Sequence, residues 1–236
     1  LFERRYLDEP FRHFDELLSA FFDEAKAQGI GDVRIETAVL GVAGPVHGNR
    51  VRLTNRAWEI DGTALGEQFG MQEVKLVNDF VAAANGIGAL AETDLIVLQA
   101  GRPAERATQV VLGAGTGFGV AFRLWQGERY AVIAGEGGNA GFAPGTAEQA
   151  DLWRHVHSRT GRVRLEQVVS GDGLATIYEF LRERRVEPET PEPVRRLETE
   201  DRAAAIISSA MDLHDPLACR ALDMFIEVYG AVAGDQ

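Results

Sequence analysis

The sequence predicts an α/β protein built in two lobes, and three features carry that expectation. Strand-like and helix-like segments alternate up to Leu90, and a block of strand-like segments separated by glycine-containing turns occupies the middle of the chain. Beyond that block the apolar spacing becomes helical and stays so to the end. The lobes join near residues 89–95, which gives a smaller lobe over 1–89 and a larger one over 90–236.

Each element has its own signal. Phe14, Leu17, Leu18, Phe21 and Phe22 recur at helical spacing within 11–27, and Gly29 and Gly31 end that helix. Val33 to Val42 alternates apolar and polar residues before turning into an apolar run, as a strand entering a core does. Val51 to Leu53 reads as a short strand and Val74 to Val77 as a buried one, with a short helix over Thr63 to Phe69 between them. Phe80 to Leu90 is Ala-rich and helical.

Four further strands are expected at Leu95 to Leu98, Gln109 to Leu112, Val120 to Trp125 and Tyr130 to Ile133. Helices are expected over Ala147 to His157, Gly173 to Arg184, Arg202 to Met211 and Pro216 to Val232. The stretch from Arg182 to Asp201 holds Pro188, Pro191, Pro193 and many charges, and reads as a solvated connection.

Composition narrows the function classes. With 236 residues, 45% of them apolar, the chain can bury a large core. A formal net charge of −12 opposes binding to a phosphate backbone, and no Lys/Arg cluster is interleaved with aromatics, so no nucleic-acid partner is expected. Cys219 is the single cysteine, which excludes an internal disulfide and a thiolate zinc site and fits a cytoplasmic setting.

Residues 1–25 carry charges throughout, and no run reaches the ~18 apolar residues of a membrane span, so no membrane partner is expected. His155 and His157, two apart on a helix, point to different faces and read as surface residues rather than a metal pair. Trp58 and Trp153 read as packing residues or as a sugar-stacking platform. The chain opens at Leu1 rather than Met and stops at Gln236 just after a patterned segment, so both ends are expected to be truncated.

The most informative segment is Gly113-Ala114-Gly115-Thr116-Gly117-Phe118-Gly119. Glycine at every second position weakens a strand unless backbone must approach something closely. A dinucleotide fingerprint fails, because Phe118 stands where the third glycine would fall and VAFRLW continues as strand. A P-loop fails too, because Lys26 and Lys75 are the only lysines and neither follows a glycine. What remains is a glycine-rich hairpin, either an ordinary turn or one whose N–H groups and Thr116 hydroxyl cradle a polyphosphate.

Asn78-Asp79 ends a buried strand and opens a helix, the edge at which open α/β sheets bind ligands. Asp79 there either caps the helix or accepts a proton from a substrate hydroxyl, while Asn78 offers a donor and an acceptor to a neighbouring one. Glu136-Gly137-Gly138-Asn139 follows the Tyr130 strand as a tight turn, and Glu166 precedes a Val168 to Gly171 strand and turn. Each alone passes as surface, but sugars are bound by planar polar groups that clasp vicinal hydroxyls, and Asn78, Asp79, Glu136, Asn139 and Glu166 form a suitable set.

In this order and spacing the segments resemble the bacterial glucokinase family of the hexokinase and actin-like ATPase superfamily. The likeness runs through Gly41 to Val46, Leu53-Thr54-Asn55 with Trp58, Leu76 to Phe80, Gly113 to Val120, Glu136 to Pro144, Val169 to Gly173 and Cys219 to Gly230. It implies the two-lobed actin-like, ribonuclease H-like fold, with glucose as substrate, ATP as phosphoryl donor and Mg2+ as metal ion. It further implies Asp79 as general base, Asn78, Glu136, Asn139 and Glu166 as sugar ligands, and Gly113, Gly115, Thr116 and Gly117 as the second phosphate element. No protein metal ligand is assigned, and the family's common state implies a homodimer.

Departures accompany the resemblance. The family usually carries His at the position of Asn139 and often Asp at that of Gly141. Its members open with an Asp-x-Gly-Gly-Thr hairpin and carry a Gly-Gly adenosine segment after the last long helix, whereas the one Gly-Gly here is Gly137-Gly138. The fold is therefore expected to be incomplete at both termini and the chain as written to be inactive as a kinase. Alternatives are a related kinase for another hexose, which a zinc-type cysteine cluster would mark, and a non-catalytic sugar-binding relative.

Overall fold

Phe14, Leu18 and Phe22 lie along one side of helix α1 (Phe14–Ala25) in a computed structural model that describes residues 2–30, 34–53, 56–188 and 190–236. By contacts the chain divides into two units, Leu1–Gly101 and Arg102–Gln236, so residues 90–101 go with the first. Of the sequence features above, Gly31, Val33, Thr54 and Asn55 lie outside the described residues.

In the first unit, strand β1 (Thr37–Val42) is followed by a hairpin of β2 (Arg50–Arg52) and β3 (Glu59–Asp61), helix α2 (Gly62–Phe69), β4 (Glu73–Asn78) and helix α3 (Asp79–Gly86). β1 and β4 pair in parallel, with Leu40 opposite Leu76 and Val42 opposite Asn78. Val42, Val51, Ile60, Leu65, Met71, Val74 and Leu76 form the core, and α1 packs Phe14, Leu18 and Phe22 against it. Trp58 is buried with its ring edge-on to Phe14 at 6.1 Å, so it is a packing residue.

Asn49, which the sequence reading passed over, ties the hairpin to β4. Its side-chain Nδ2 donates to the Val74 carbonyl at 2.8 Å and its Oδ1 accepts from Leu76 N–H at 2.9 Å. A side-chain amide thus takes the place of a peptide group along the edge of β4. The backbone of Asn49 has φ 62°, a conformation that Asn tolerates better than most residues.

The second unit is an antiparallel sheet in the order β5 (Gln109–Ala114), β6 (Phe118–Trp125), β7 (Tyr130–Gly135), with helices α4 (Ala147–Thr160), α5 (Gly171–Glu183), α6 (Pro191–Thr199), α7 (Arg202–Leu213) and α8 (Pro216–Asp235). Alternate residues of β6, Phe118 and Val120, enter the same core as Leu174, Ile177 and Leu181 of α5. Leu217, Ala221, Met224 and Val228 make a buried stripe at helical spacing along α8.

Four expectations are corrected. Leu95–Leu98 is irregular rather than strand, with relative exposures of 53%, 87%, 78% and 95%, because β propensity is realised only where a pleated face packs. The charged stretch after Arg182 contains α6, whose Pro191 occupies the first helical turn, where its missing N–H costs nothing. Val168 and Val169 are fully buried but form a turn, since Ser170 Oγ accepts from Gly173 N–H and starts α5 immediately. His157 is exposed as expected, yet His155 is not a surface residue: its side chain is 15% exposed and its ring meets Phe180 edge-on at 5.4 Å. Strand β3 was not foreseen at all. Among the described residues no helix is long and apolar enough to cross a membrane.

Candidate active site

In the first unit the candidate residues stand where β4 gives way to α3. Asn78, half-buried, is the helix cap: its Oδ1 accepts from Phe80 N–H at 3.0 Å and from Val81 N–H at 3.2 Å. Its Nδ2 donates to the Gly44 carbonyl at 3.4 Å, which leaves one amide hydrogen for a ligand. Gly44 has φ 141°, so the β1–β2 connection is bent there in a way that suits glycine alone.

Capping by Asn78 frees its neighbour. Asp79 is the first residue of α3 and is exposed, with Oδ1 accepting from Phe80 N–H at 2.8 Å. Of the two readings open in the sequence, the cap is filled by Asn78, and Asp79 presents an oxygen to solvent.

In the second unit three turns converge on β6. The β5–β6 turn closes with Gly115 N–H donating to the Gly117 carbonyl at 2.8 Å, and the Gly115 carbonyl accepts from Gly171 N–H at the start of α5, also at 2.8 Å. Thr116 is exposed at its tip, and a Cβ added at Gly115 would meet nothing within 4 Å. The turn is therefore open for backbone approach by a phosphate group. Gly113 lies deeper, opposite Gly119 in the ladder.

Glu166, half-buried in the turn Leu165–Gln167, accepts from Phe118 N–H at 3.1 Å through Oε2. Glycines make the room: a Cβ at Gly117 would stand 2.5 Å from that same oxygen, and one at Gly138 would stand 2.6 Å from the Phe118 carbonyl. Glu136 and Asn139 bracket the turn Gly137–Asn139, with Asn139 Nδ2 donating to Glu136 Oε2 at 3.3 Å and Asn139 N–H donating to the Glu136 carbonyl at 3.0 Å. Both side chains are exposed.

Within this unit the structure brings Gly117 and Glu166 into contact and pairs Glu136 with Asn139. Sequence reasoning missed the Phe118 N–H as the partner of Glu166, because a backbone donor leaves no mark on residue type. It also missed Tyr229 on α8, whose ring packs edge-on to Phe118 at 5.7 Å. Burial raises the pKa of this phenol above its ordinary value, opposed by a hydrogen bond from the Ala114 backbone, so the hydroxyl stays protonated beside the β5–β6 turn. Among the described residues no group of three or more His, Cys, Asp or Glu side chains could hold a metal ion.

A family model described as glucokinase matches residues 2–236. The glucokinase of Nostoc sp. strain PCC 7120 is 39% identical over 213 residues, which cover 85% of this chain and 62% of that protein. The glucokinase of Synechocystis sp. is 36% identical over 249 residues, covering all of this chain and 70% of that protein. The crystal structure of a glucokinase from an Antarctic psychrotroph superposes with a TM-score of 0.73 at 26% identity, covering 98% of this chain and 67% of the other. That of Balamuthia mandrillaris glucokinase in complex with glucose superposes at 0.65 and 21% identity over 91% of this chain and 64% of the other, a likeness of fold. The chain thus spans about 62% of the length of the Nostoc relative.

Proposed function

The chain belongs to the glucokinase family, and from that premise we propose that the protein phosphorylates glucose, moving the γ-phosphoryl group of ATP onto the sugar 6-hydroxyl. The observation that carries this reading is the division of labour between Asn78 and Asp79. Asn78 Oδ1 holds two backbone N–H groups of α3, which leaves the Asp79 carboxylate exposed and anchored through Oδ1 alone among the described residues. Such a carboxylate can take the proton of a hydroxyl as that oxygen attacks.

The new bond joins the sugar 6-oxygen to the γ-phosphorus, the bond from that phosphorus to the ADP oxygen breaks, and the released proton goes to Asp79. Glu136, Asn139 and Glu166 clasp the other hydroxyls, and the remaining hydrogen of the Asn78 amide serves a neighbour of the reacting one. The turn from Gly113 to Gly119 offers backbone and the Thr116 hydroxyl to the phosphates. A magnesium ion bound with ATP supplies charge neutralisation at the transferring group.

Phosphoryl transfer depends chiefly on positioning and electrostatics, so no covalent enzyme intermediate is needed. In a catalytically active form of the protein, Asp79→Ala is expected to lower turnover by ~10²-fold to ~10⁴-fold, the range for loss of a general base, with a far smaller change in glucose binding. A coupled assay of ADP release and a calorimetric glucose titration check both halves. Near wild-type turnover in Asp79→Ala removes the residue from the role of base.

A further inference from the structure

The Glu136 turn is held from two sides by very different means. On the inner side it lies flush against β6: a Cβ at Gly137 would stand 2.4 Å from Val120 Cγ2, and one at Gly138 would stand 2.6 Å from the Phe118 carbonyl oxygen. Inward movement is blocked by hard contacts. On the outer side Asn139 is exposed, and its backbone carbonyl accepts a hydrogen bond from Arg162 Nη2 at 3.0 Å.

Arg162 is well placed to be a fixed donor rather than a wandering surface cation. Helix α4 ends at Thr160 and Gly161 turns the chain at φ 77°, with Gly161 N–H donating to the His157 carbonyl at 2.8 Å. The Arg162 backbone is held at both ends, its N–H donating to the Thr160 carbonyl at 3.1 Å and its carbonyl accepting from Thr160 Oγ1 at 3.3 Å. The chain then runs back antiparallel to residues 140–142, with Phe142 N–H on the Val163 carbonyl at 3.2 Å and Leu165 N–H on the Ala140 carbonyl at 2.8 Å. From this anchored start the guanidinium reaches Asn139, whose own amide holds the Glu136 carboxylate at 3.3 Å.

We infer that Arg162 is a positioning residue for sugar binding, acting through Asn139 to set the Glu136 carboxylate. The inference rests on the proposed function, in which Glu136 and Asn139 meet the hydroxyls of glucose. Arg162 itself touches no hydroxyl in this scheme. Its contribution is to close the open side of a turn that β6 fixes on the other, so that Glu136 meets the sugar already oriented and spends little affinity on ordering.

Calorimetric titration of glucose into the protein and its Arg162→Ala, Arg162→Lys and Glu136→Gln variants tests this. Loss of one charge-assisted hydrogen bond is expected to raise the glucose Kd about 3-fold to 10-fold in Arg162→Ala. Arg162→Lys, which keeps a donor at the end of a long side chain, is expected to recover most of that loss. The melting temperature should move by no more than about 2 °C, as for an exposed site. In an active form of the protein, the KM for glucose should rise while kcat holds.

Wild-type affinity in Arg162→Ala alongside weakened binding in Glu136→Gln would overturn the positioning role and leave the proposed function standing. An affinity loss that Arg162→Lys does not recover, accompanied by a large drop in melting temperature, would reduce Arg162 to a structural residue and overturn it as well. Absence of glucose binding in the unmutated protein would defeat the functional reading itself, and this inference with it.

Discussion

Asp79 and Glu166 are both carboxylates set next to the start of a helix, yet the two units treat them in opposite ways. Asp79 is exposed and takes an anchoring N–H from the next residue along the chain, because Asn78 has already filled the cap of α3. Glu166 is half-buried and takes its N–H from Phe118, on a strand far away in sequence, against glycines that leave room for it and for nothing more. An acidic group that must exchange a proton with an arriving hydroxyl benefits from an unblocked oxygen, whereas one that must clasp hydroxyls benefits from being fixed beforehand. Local sequence suffices for the first arrangement, and only packing produces the second.

The contrast can be broken at its tightest point. Gly117→Ala places a methyl group 2.5 Å from Glu166 Oε2, so either the carboxylate or the β5–β6 turn must shift. Glucose affinity is expected to fall at least ~10-fold, equivalent to ~1.4 kcal/mol. Calorimetric titration at constant pH measures the effect, and an unchanged Kd would mean that the position of Glu166 has no bearing on the sugar.

A second substitution, read in stability instead of binding, probes the other unit. Asn49→Ala removes both bonds of its side-chain amide to β4, the strand that ends at Asn78, and leaves Val74 O and Leu76 N without that partner. A cost of about 2 kcal/mol in unfolding free energy is expected, the sum of two hydrogen bonds at about 1 kcal/mol each. Urea denaturation followed by near-ultraviolet dichroism reads it. If the loss stays within the ~0.5 kcal/mol of an ordinary surface substitution, the amide bridge does not hold the hairpin to β4.

The smallest expected effect concerns His155, a half-buried titratable group of the second unit that is used by neither carboxylate. Burial holds its pKa below the ordinary value of 6.5, reinforced by the Arg159 charge and opposed by Glu183 and Glu179. Its Nε2 is buried without a hydrogen-bond partner among the described residues. With the folded pKa depressed, the unfolded chain binds the proton more readily, so the stability contributed by neutral His155 is present above pH 6.5 and is lost as pH falls through the folded value. His155→Phe should flatten that segment of the stability curve. A thermal-melt series across this window in both proteins decides the matter, and parallel curves would assign the acid sensitivity to other groups.

Much of this was legible from local pattern. Apolar spacing located α4, α5, α7 and α8, the glycine periodicity of residues 113–119 marked the β5–β6 turn, and Asn78-Asp79 announced a strand end and a helix start. These features are determined within a few residues, by side-chain period, capping chemistry and the backbone freedom of glycine. The family resemblance added order and spacing to them, and with that the candidate site.

Other features were decided by tertiary structure alone. Leu95–Leu98 has the composition of a strand but is irregular, because pairing needs a partner edge that composition cannot supply. The prolines of residues 188–193 read as chain breakers until Pro191 took the first turn of α6, where a missing N–H is no loss. Asn49 as a surrogate peptide group, the Phe118 N–H behind Glu166 and the Arg162 bond to Asn139 each join residues far apart along the chain. A residue's type and near neighbours fix what hydrogen bonds it can make, but which partner it meets depends on the whole chain's packing, and that physical fact separates what this sequence determined from what only its fold could decide.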